Sequence, residues 1–174
     1  MTRHSSLLIV LALAAGCATI DVGANFDPTT SIAPATTFDF EPRSETPTGD
    51  PRLDGNPFFE TRLEAAVAFE MAAKGLRRSS ASPRLLVHFH ASVDRRLDVI
   101  QADRAGGYVT DTVGYAEWEE GTIVVDVVDA GTKRVVWRGW GRSDLAGVLS
   151  DPHTMDRYVQ QVVHKMFERF TLVR

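Results

Sequence analysis

Two groups of residues have side chains and spacings that could support chemistry. His88 and His90 lie two residues apart, which on an extended strand places both imidazoles on one face, a spacing that can chelate zinc or copper. Asp126 and Arg138 share one face of a predicted hairpin, where the carboxylate could act as a general base oriented by the guanidinium. Neither group completes a known motif, because the aspartates that follow the histidines add no recognisable set of metal ligands. We therefore expect polar residues of a half-buried strand at 88 and 90, and a structural ion pair between 126 and 138.

Other familiar catalytic motifs are missing from the sequence. No serine lies in a Gly-x-Ser-x-Gly setting that would activate it as a nucleophile. Gly106-Gly107 and Gly139-Trp140-Gly141 do not lie between a strand and a helix with a following Lys-Ser or Lys-Thr, so neither is a phosphate-binding loop. We expect no enzyme activity, no cofactor and no metal site.

The composition is that of a folded globular domain with a mild negative charge. The chain has 174 residues, of which 44% are hydrophobic and 24% charged, and its net charge is -4. Nucleic-acid binding requires a dense basic patch, and attraction to anionic lipid requires clustered cations, so this charge argues against both. Contact with a membrane would then need a covalent anchor.

The single cysteine, Cys17, supplies that anchor in our interpretation. Arg3 gives a short positive region, an uncharged apolar run covers residues 7–15, and small residues lead directly into Cys17. The run has the length of a signal sequence and is too short to span a bilayer as a helix. The segment resembles the lipobox of bacterial lipoproteins, with Ala14 at the position where leucine is more usual.

This resemblance implies that residues 1–16 are cleaved and that Cys17 carries acyl chains. Two or three chains give stable anchoring, because each buried methylene contributes about 0.8 kcal/mol. Ala18 follows the cysteine in place of aspartate, which by resemblance to Gram-negative sorting implies the periplasmic face of the outer membrane. An N-terminal helix that happens to contain a cysteine is the alternative.

Two helices are predicted from capping residues and periodicity. Asn56-Pro57 begins the first and Gly75 ends it; its buried stripe contains Phe59, Leu63, Ala66, Val67 and Met71, widened by Phe58, Ala65, Phe69 and Ala72. Asp151-Pro152 begins a long C-terminal helix. Its stripe consists of Met155, Val159, Val162, Met166 and Phe170, extended by Tyr158, Val163 and Phe167.

The strands follow from alternation. Short strands are predicted at residues 20–22 and 36–40, a longer one at 85–93, and a hairpin whose loop is 129–133. Within the hairpin, Val135 and Trp137 should face Ile123, Val125 and Val127, and Trp137 and Trp140 fall on opposite faces, one of them in the core.

These elements predict an α+β fold with a mostly antiparallel sheet and two amphipathic helices packed on one face. We expect a signal peptide at 1–16, a lipidated N-terminus and tether at 17–35, and a single domain at 36–174. Residues 94–120 show no sustained periodicity and can be either a loop or a further strand. Their aromatic residues, Tyr108, Tyr115 and Trp118, are candidates for an interaction surface, and the segment's acidity favours a cationic or neutral partner.

The order of elements, the run Gly-Thr-Ile-Val-Val-Asp-Val-Val-Asp at 121–129 and Val-Trp-Arg-Gly at 136–139 resemble the bacterial lipoprotein family catalogued as domain of unknown function 4136. The resemblance covers nearly all of residues 17–170. It departs at Phe170-Thr171, where members often end in Phe-Pro. It implies the fold and an envelope location, and it brings no activity, cofactor or catalytic residue.

Three functions are compatible with these features. The first is a membrane-anchored envelope lipoprotein that acts as a non-enzymatic binding or structural module. The second is a ligand-binding or hydrolytic periplasmic domain with its site in residues 94–120. The third is an accessory subunit of an envelope assembly or transport complex. The expected partners are the membrane, through the lipid on Cys17, and an envelope protein, but not nucleic acid.

Overall fold

The computed structural model of the chain describes residues 19–29, 32, 35–41, 47–100 and 114–171, with the backbone alone at 98–100 and 114–116. The predicted signal peptide, Cys17 and Tyr108 therefore lie outside the described residues. Within the described part, no helix is both long and apolar enough to cross a membrane.

A mixed sheet with two helices forms the domain, as the sequence predicts. In chain order the elements are β1 (Asp21–Phe26), β2 (Thr37–Phe40), α1 (Pro57–Ala73), β3 (Arg77–Arg78), β4 (Leu85–Ile100), β5 (Gly114–Asp129), β6 (Val135–Asp144) and α2 (Pro152–Phe167). The spatial order of the strands is β1-β6-β5-β4-β2-β3. The neighbouring pairs β1–β6, β6–β5 and β5–β4 are antiparallel, whereas β2 runs parallel to both β3 and β4. The prediction of a mostly antiparallel α+β sheet is confirmed.

Both helices begin where the capping residues predict. The Asn56 side chain accepts hydrogen bonds from the first backbone amides of α1, and the Asp151 carboxylate does the same for α2. Proline is the first residue of each helix. Its missing N–H costs nothing there, because an N–H at this position has no acceptor within the helix. Gly75 follows α1 with φ of 86°, a left-handed conformation that glycine adopts at low cost.

The two helices run parallel on one face of the sheet. Arg62 of α1 lies 3.9 Å from Asp156 of α2, and two turns later Glu70 lies 2.9 Å from the His164 ring. Because both contacts advance in the same direction, the N-terminal ends of α1 and α2 lie at the same end of the domain. The core between helices and sheet contains the largest fully buried side chains, among them Trp137, Phe38, Phe167, Phe170, Leu63, Met71, Leu85 and Ile123.

Helix α1 departs from the prediction on its outer side. The narrow stripe from Phe59 to Met71 is buried, but Phe58 and Phe69, which were expected to widen it, are 71% and 72% exposed. Ala65 and Ala72 are exposed as well. Sequence periodicity could not separate the two sides of α1, because both are apolar.

Two further predictions need correction. Val136 is an extra residue in the β5–β6 ladder, since Val127 pairs with Trp137 while Val128 pairs with Val135. This bulge buries Val136 and leaves Val135 43% exposed, so the prediction that Val135 faces the core with Trp137 is wrong. The tether predicted at 17–35 is also too long, because Asp21–Phe26 is an edge strand of the sheet.

Candidate functional site

His88 and His90 lie on the sheet face that the helices do not cover. The odd-numbered residues of β4, such as Val87, face the core, so His88 and His90 face the opposite, open side and are both half-buried. His88 lies opposite Asp126 in the ladder, and His90 lies opposite Val124. Among the described residues, no cluster of three or more His, Cys, Asp or Glu side chains could hold a metal ion. The absence of metal binding remains a prediction.

Asp126 and Arg138 form the ion pair that the sequence predicts. Arg138 Nε and Nη2 each donate to one carboxylate oxygen of Asp126 at 2.6 Å, a bidentate geometry. The hydrogen bond to Asp126 raises the pKa of the Arg138 guanidinium above its ordinary value. Each carboxylate oxygen accepts one hydrogen bond from the same guanidinium, which is the geometry expected of a structural ion pair.

The two tryptophans of β6 lie on opposite faces of the sheet, as predicted. Trp137 is 2% exposed and packs between Phe167 and Phe170, with ring centroids 5.2 and 5.1 Å away. Trp140 lies on the open face across Gly23 of the neighbouring edge strand, where a Cβ would overlap the indole. Trp137 is therefore a core residue, and Trp140 covers a gap at the sheet edge.

The most distinctive feature of the fold is a two-stranded extension formed by β4 and β5. The last residue pair in which β6 takes part is Glu120 with Asp144. Beyond it, β4 and β5 continue to pair through six rows, from Arg95 with Glu119 to Ile100 with Gly114. At about 3.3 Å per residue these rows extend about 20 Å past the sheet. We call residues 95–100 and 114–119 the β4–β5 arm.

The arm settles part of the question that the sequence left open for residues 94–120. The described parts of this segment are strand, and residues 101–113 lie outside the description. Of the predicted interaction residues, Tyr115 lies in β5 with only its backbone described, and Trp118 is half-buried on the arm. Leu97 of the arm is 70% exposed. The structure thus places Tyr115 and Trp118 on one element.

Ion pairs offset the acidity of the arm. Arg52 lies in the loop before α1, and its Nη2 is 2.7 Å from Oε1 of Glu119. Nη2 of Arg96 is likewise 2.7 Å from Oε1 of Glu120. Arg95 lies 4.0 Å from Glu117. These three arginines offset part of the negative charge at the base of the arm, although Arg52 is shared with Asp50 and Asp94 adds a further carboxylate. The acidic run was evident in the sequence, whereas this partial compensation was not, and the preference for a cationic or neutral partner stays a prediction.

Arg52 is a site residue that no pattern in the sequence indicated. It also forms an ion pair with Asp50, and this hydrogen bond lowers the pKa of the Asp50 carboxyl below its ordinary value. The pair fixes a guanidinium beside an open groove of about 740 Å³. The groove separates the arm from the loop after β6; its lining includes Arg52, Arg95, Trp118, Glu119, Leu145 and Ser150. The contact between residues 52 and 119 joins distant parts of the chain, so local pattern could not reveal it.

Comparison with solved structures shows a shared fold. The chain is similar to a PDZ domain protein from Parabacteroides distasonis ATCC 8503, with a TM-score of 0.59 and 16% identity over 88% of this chain. The chain corresponds to only 36% of that protein, and at this identity the similarity shows the fold alone.

Two weaker similarities support no argument about function. They are to the PelC dodecamer from Paraburkholderia phytofirmans (TM-score 0.47, 12% identity, 85% of this chain and 94% of that one) and to a minor lipoprotein from Acinetobacter baumannii (TM-score 0.41, 11% identity, 78% and 94%). Among curated proteins, none matches the sequence significantly.

A family model gives the clearest match. The model described as Domain of unknown function (DUF4136) matches residues 22–170. The match begins within the edge strand β1 and ends just after α2, so it includes every strand and helix of the domain. The chain therefore belongs to the DUF4136 family.

Proposed function

We propose that this protein is a lipid-anchored lipoprotein of the bacterial cell envelope and that it acts as a non-enzymatic binding module through the β4–β5 arm. The observation that carries the second part is the arm itself. Six residue pairs extend beyond the last row in which β6 takes part, so the backbone of the arm projects outside the two-layer domain. A ribbon that contributes little to the core and carries an exposed Leu97 and a half-buried Trp118 is a suitable contact element.

The anchoring part of the proposal rests on the sequence around Cys17. The apolar run, the small residues before the cysteine and membership of the DUF4136 family support export and lipidation. Ala18 after the cysteine supports the periplasmic face of the outer membrane as the destination. We expect Cys17→Ala to move the protein into the soluble periplasmic fraction or to leave it as a precursor.

The non-enzymatic part is supported by the state of the candidate reactive groups. Both carboxylate oxygens of Asp126 accept hydrogen bonds from Arg138. His88 and His90 lie among half-buried side chains of the open face. We expect no turnover in a broad hydrolase screen, and reproducible turnover lost on a single substitution in the groove would favour the hydrolytic alternative.

A photo-crosslinking pair tests the role of the arm. Leu97 on the arm and Phe69 on α1 are 70% and 72% exposed, so benzoylphenylalanine can replace either without entering the core. We expect covalent adducts in the cell envelope from position 97 and few from position 69. Adducts from position 69 alone, or from neither position, would show that the arm is not the contact element.

A further inference from the structure

The predicted anchor and the arm lie at the same end of the domain. The first residue of β1, Asp21, pairs with Arg142, which pairs with Thr122, which pairs with Ser92. From this row the chain before Asp21 and the β4–β5 arm continue in the same direction, because β1 and β6 are antiparallel, as are β6 and β5.

The N-terminal ends of both helices lie at this end as well. Phe59 near the start of α1 and Met155 near the start of α2 line one small void together with Gly121 and Leu145. The exposed ring of Phe58 therefore lies near this end too. The loop after β6, which borders the groove beside the arm, completes the surface.

The link between Cys17 and the folded domain is very short. Ile20 already packs against the core, so only three residue steps separate it from Cys17. A fully extended chain spans at most about 3.6 Å per residue, which gives about 11 Å from Ile20 and about 14 Å from the row of Asp21. A lipidated Cys17 would hold this end of the domain within that distance of the bilayer.

The arm is longer than this link. From Ser92 in the same row, β4 continues for eight residues to Ile100, which is about 26 Å at 3.3 Å per residue. Trp118 lies four residues beyond Thr122, about 13 Å from the row. If the strands stand perpendicular to the membrane, Trp118 lies about as far from the row of Asp21 as Cys17 can reach. The last rows of the arm then extend about 12 Å farther in the same direction.

We infer that the partner of the β4–β5 arm is the lipid bilayer, on which the anchored domain rests. The inference builds on the proposed lipidation of Cys17. An arm that outreaches the link cannot stand upright without meeting the membrane; it enters the interfacial region or leans along it. The lipid anchor and the arm then form two contacts with one surface, and together they hold the domain in a fixed orientation.

The chemistry of the arm suits an interface of this kind. Tryptophan favours the boundary between headgroups and acyl chains, where the indole is part apolar and its N–H can reach water. The arginine–glutamate pairs at the base of the arm reduce the charge brought to the surface. Leu97 and Phe58 add exposed apolar area at the same end.

Quenching of tryptophan fluorescence by brominated lipid tests the inference. The lipidated full-length protein is purified in detergent and diluted into preformed phosphatidylcholine vesicles with or without brominated acyl chains. Trp140→Phe removes the other partly exposed indole, and Trp118→Phe in the same background leaves only the buried Trp137. We expect brominated lipid to remove most of the fluorescence that distinguishes these two variants.

The matched control is a longer link. About twelve Gly and Ser residues inserted between Ala18 and Thr19 add an r.m.s. span of about 20 Å, which frees the arm from the surface. Quenching of Trp118 should then largely disappear. Equal quenching with both links would show that the arm binds lipid unaided, and this would overturn the role assigned to the short link.

Two negative results have different meanings. Acyl mass on Cys17 together with an unquenched Trp118 would overturn the inference alone, because the domain would then rest on its β1 edge with the arm clear of the bilayer. Absence of acyl mass from the membrane-purified protein would overturn the proposed anchoring, and the inference with it.

Discussion

Gly139 in the core face of β6 allows a direct test of how tightly Trp137 is held. A Cβ built on Gly139 would overlap the Trp137 ring, with Cζ2 at 2.7 Å and another ring atom closer still. Carbon atoms in normal contact lie about 3.5–4.0 Å apart, so Gly139→Ala requires the ring to move by about 1 Å or more. Phe167 and Phe170 flank the indole and leave it little space for that movement. Overpacking of this kind costs about 1–3 kcal/mol, and we expect the upper part of that range.

Gly23→Ala is the matched control on the opposite face. The added Cβ would also overlap an indole, with Nε1 of Trp140 at 2.7 Å. Trp140 is only half-buried, however, and can swing toward solvent. Alanine also loses less backbone entropy than glycine on folding, a gain of about 0.5–1 kcal/mol that applies equally to both variants. We expect a net change of less than about 1 kcal/mol.

Thermal denaturation followed by circular dichroism separates the two variants. A loss of about 3 kcal/mol would lower the thermal midpoint by about 6–12 °C in a domain of this size, whereas the control should shift it by no more than about 4 °C. Equal destabilisation of both variants would contradict the reasoning, since it would mean that the environment of the indole does not decide the cost.

Four further outcomes are expected. Trp137→Ala should destabilise the domain by about 3–5 kcal/mol, and an unchanged midpoint would mean that the residue is not in the core. Asp129→Ala should cost about 1–3 kcal/mol, because its buried carboxylate accepts hydrogen bonds from the hairpin loop. Those bonds, chiefly the backbone amide of Thr132, lower the pKa of Asp129 from 3.8, so its stabilising effect should be complete above about pH 4 and disappear at lower pH. The difference in the free energy of unfolding between the parent and Asp129→Ala should therefore decrease in acid. A difference that stays constant down to pH 2 would refute this. Tyr158→Phe should change stability by less than about 1 kcal/mol, since its buried hydroxyl has no hydrogen bond of normal geometry among the described residues and only a weak interaction with Ser143; a large loss would show that the Ser143 contact is stronger than its geometry indicates. Finally, calorimetry should detect no sub-micromolar binding of zinc or copper to the His88–His90 pair. Sub-micromolar binding by the parent that is lost in the double alanine variant would overturn this.

Local signals predicted the elements that local physics determines. Asn56-Pro57 and Asp151-Pro152 marked helix starts because capping depends only on adjacent residues. The hairpin and the Asp126–Arg138 pair followed from strand parity, which short-range alternation reveals. The bulge at Val136 was missed because nothing in the alternation marks where an extra residue is accommodated.

The arm was left open as either a loop or a strand, for a different reason. A strand leaves a periodic signal when one of its faces is buried, and neither of the two described helices covers the β4–β5 arm. Its residues therefore alternate without an apolar face, as the exposed Leu97 shows. The neutralisation by Arg52 was equally hidden, because that contact joins the loop before α1 to β5 across 67 residues of chain. Sequence could indicate this segment only by the absence of a pattern and by its aromatic residues.

The mass of the mature N-terminus tests the central claim most directly. The protein is purified from the membrane fraction, digested, and the peptide that begins at residue 17 is measured. The account predicts cleavage between Gly16 and Cys17 and the added mass of a diacylglyceryl group, with or without a third acyl chain, and none of this mass in Cys17→Ala. A peptide that retains residues 1–16, or a Cys17 with a free thiol in membrane-associated protein, would contradict it.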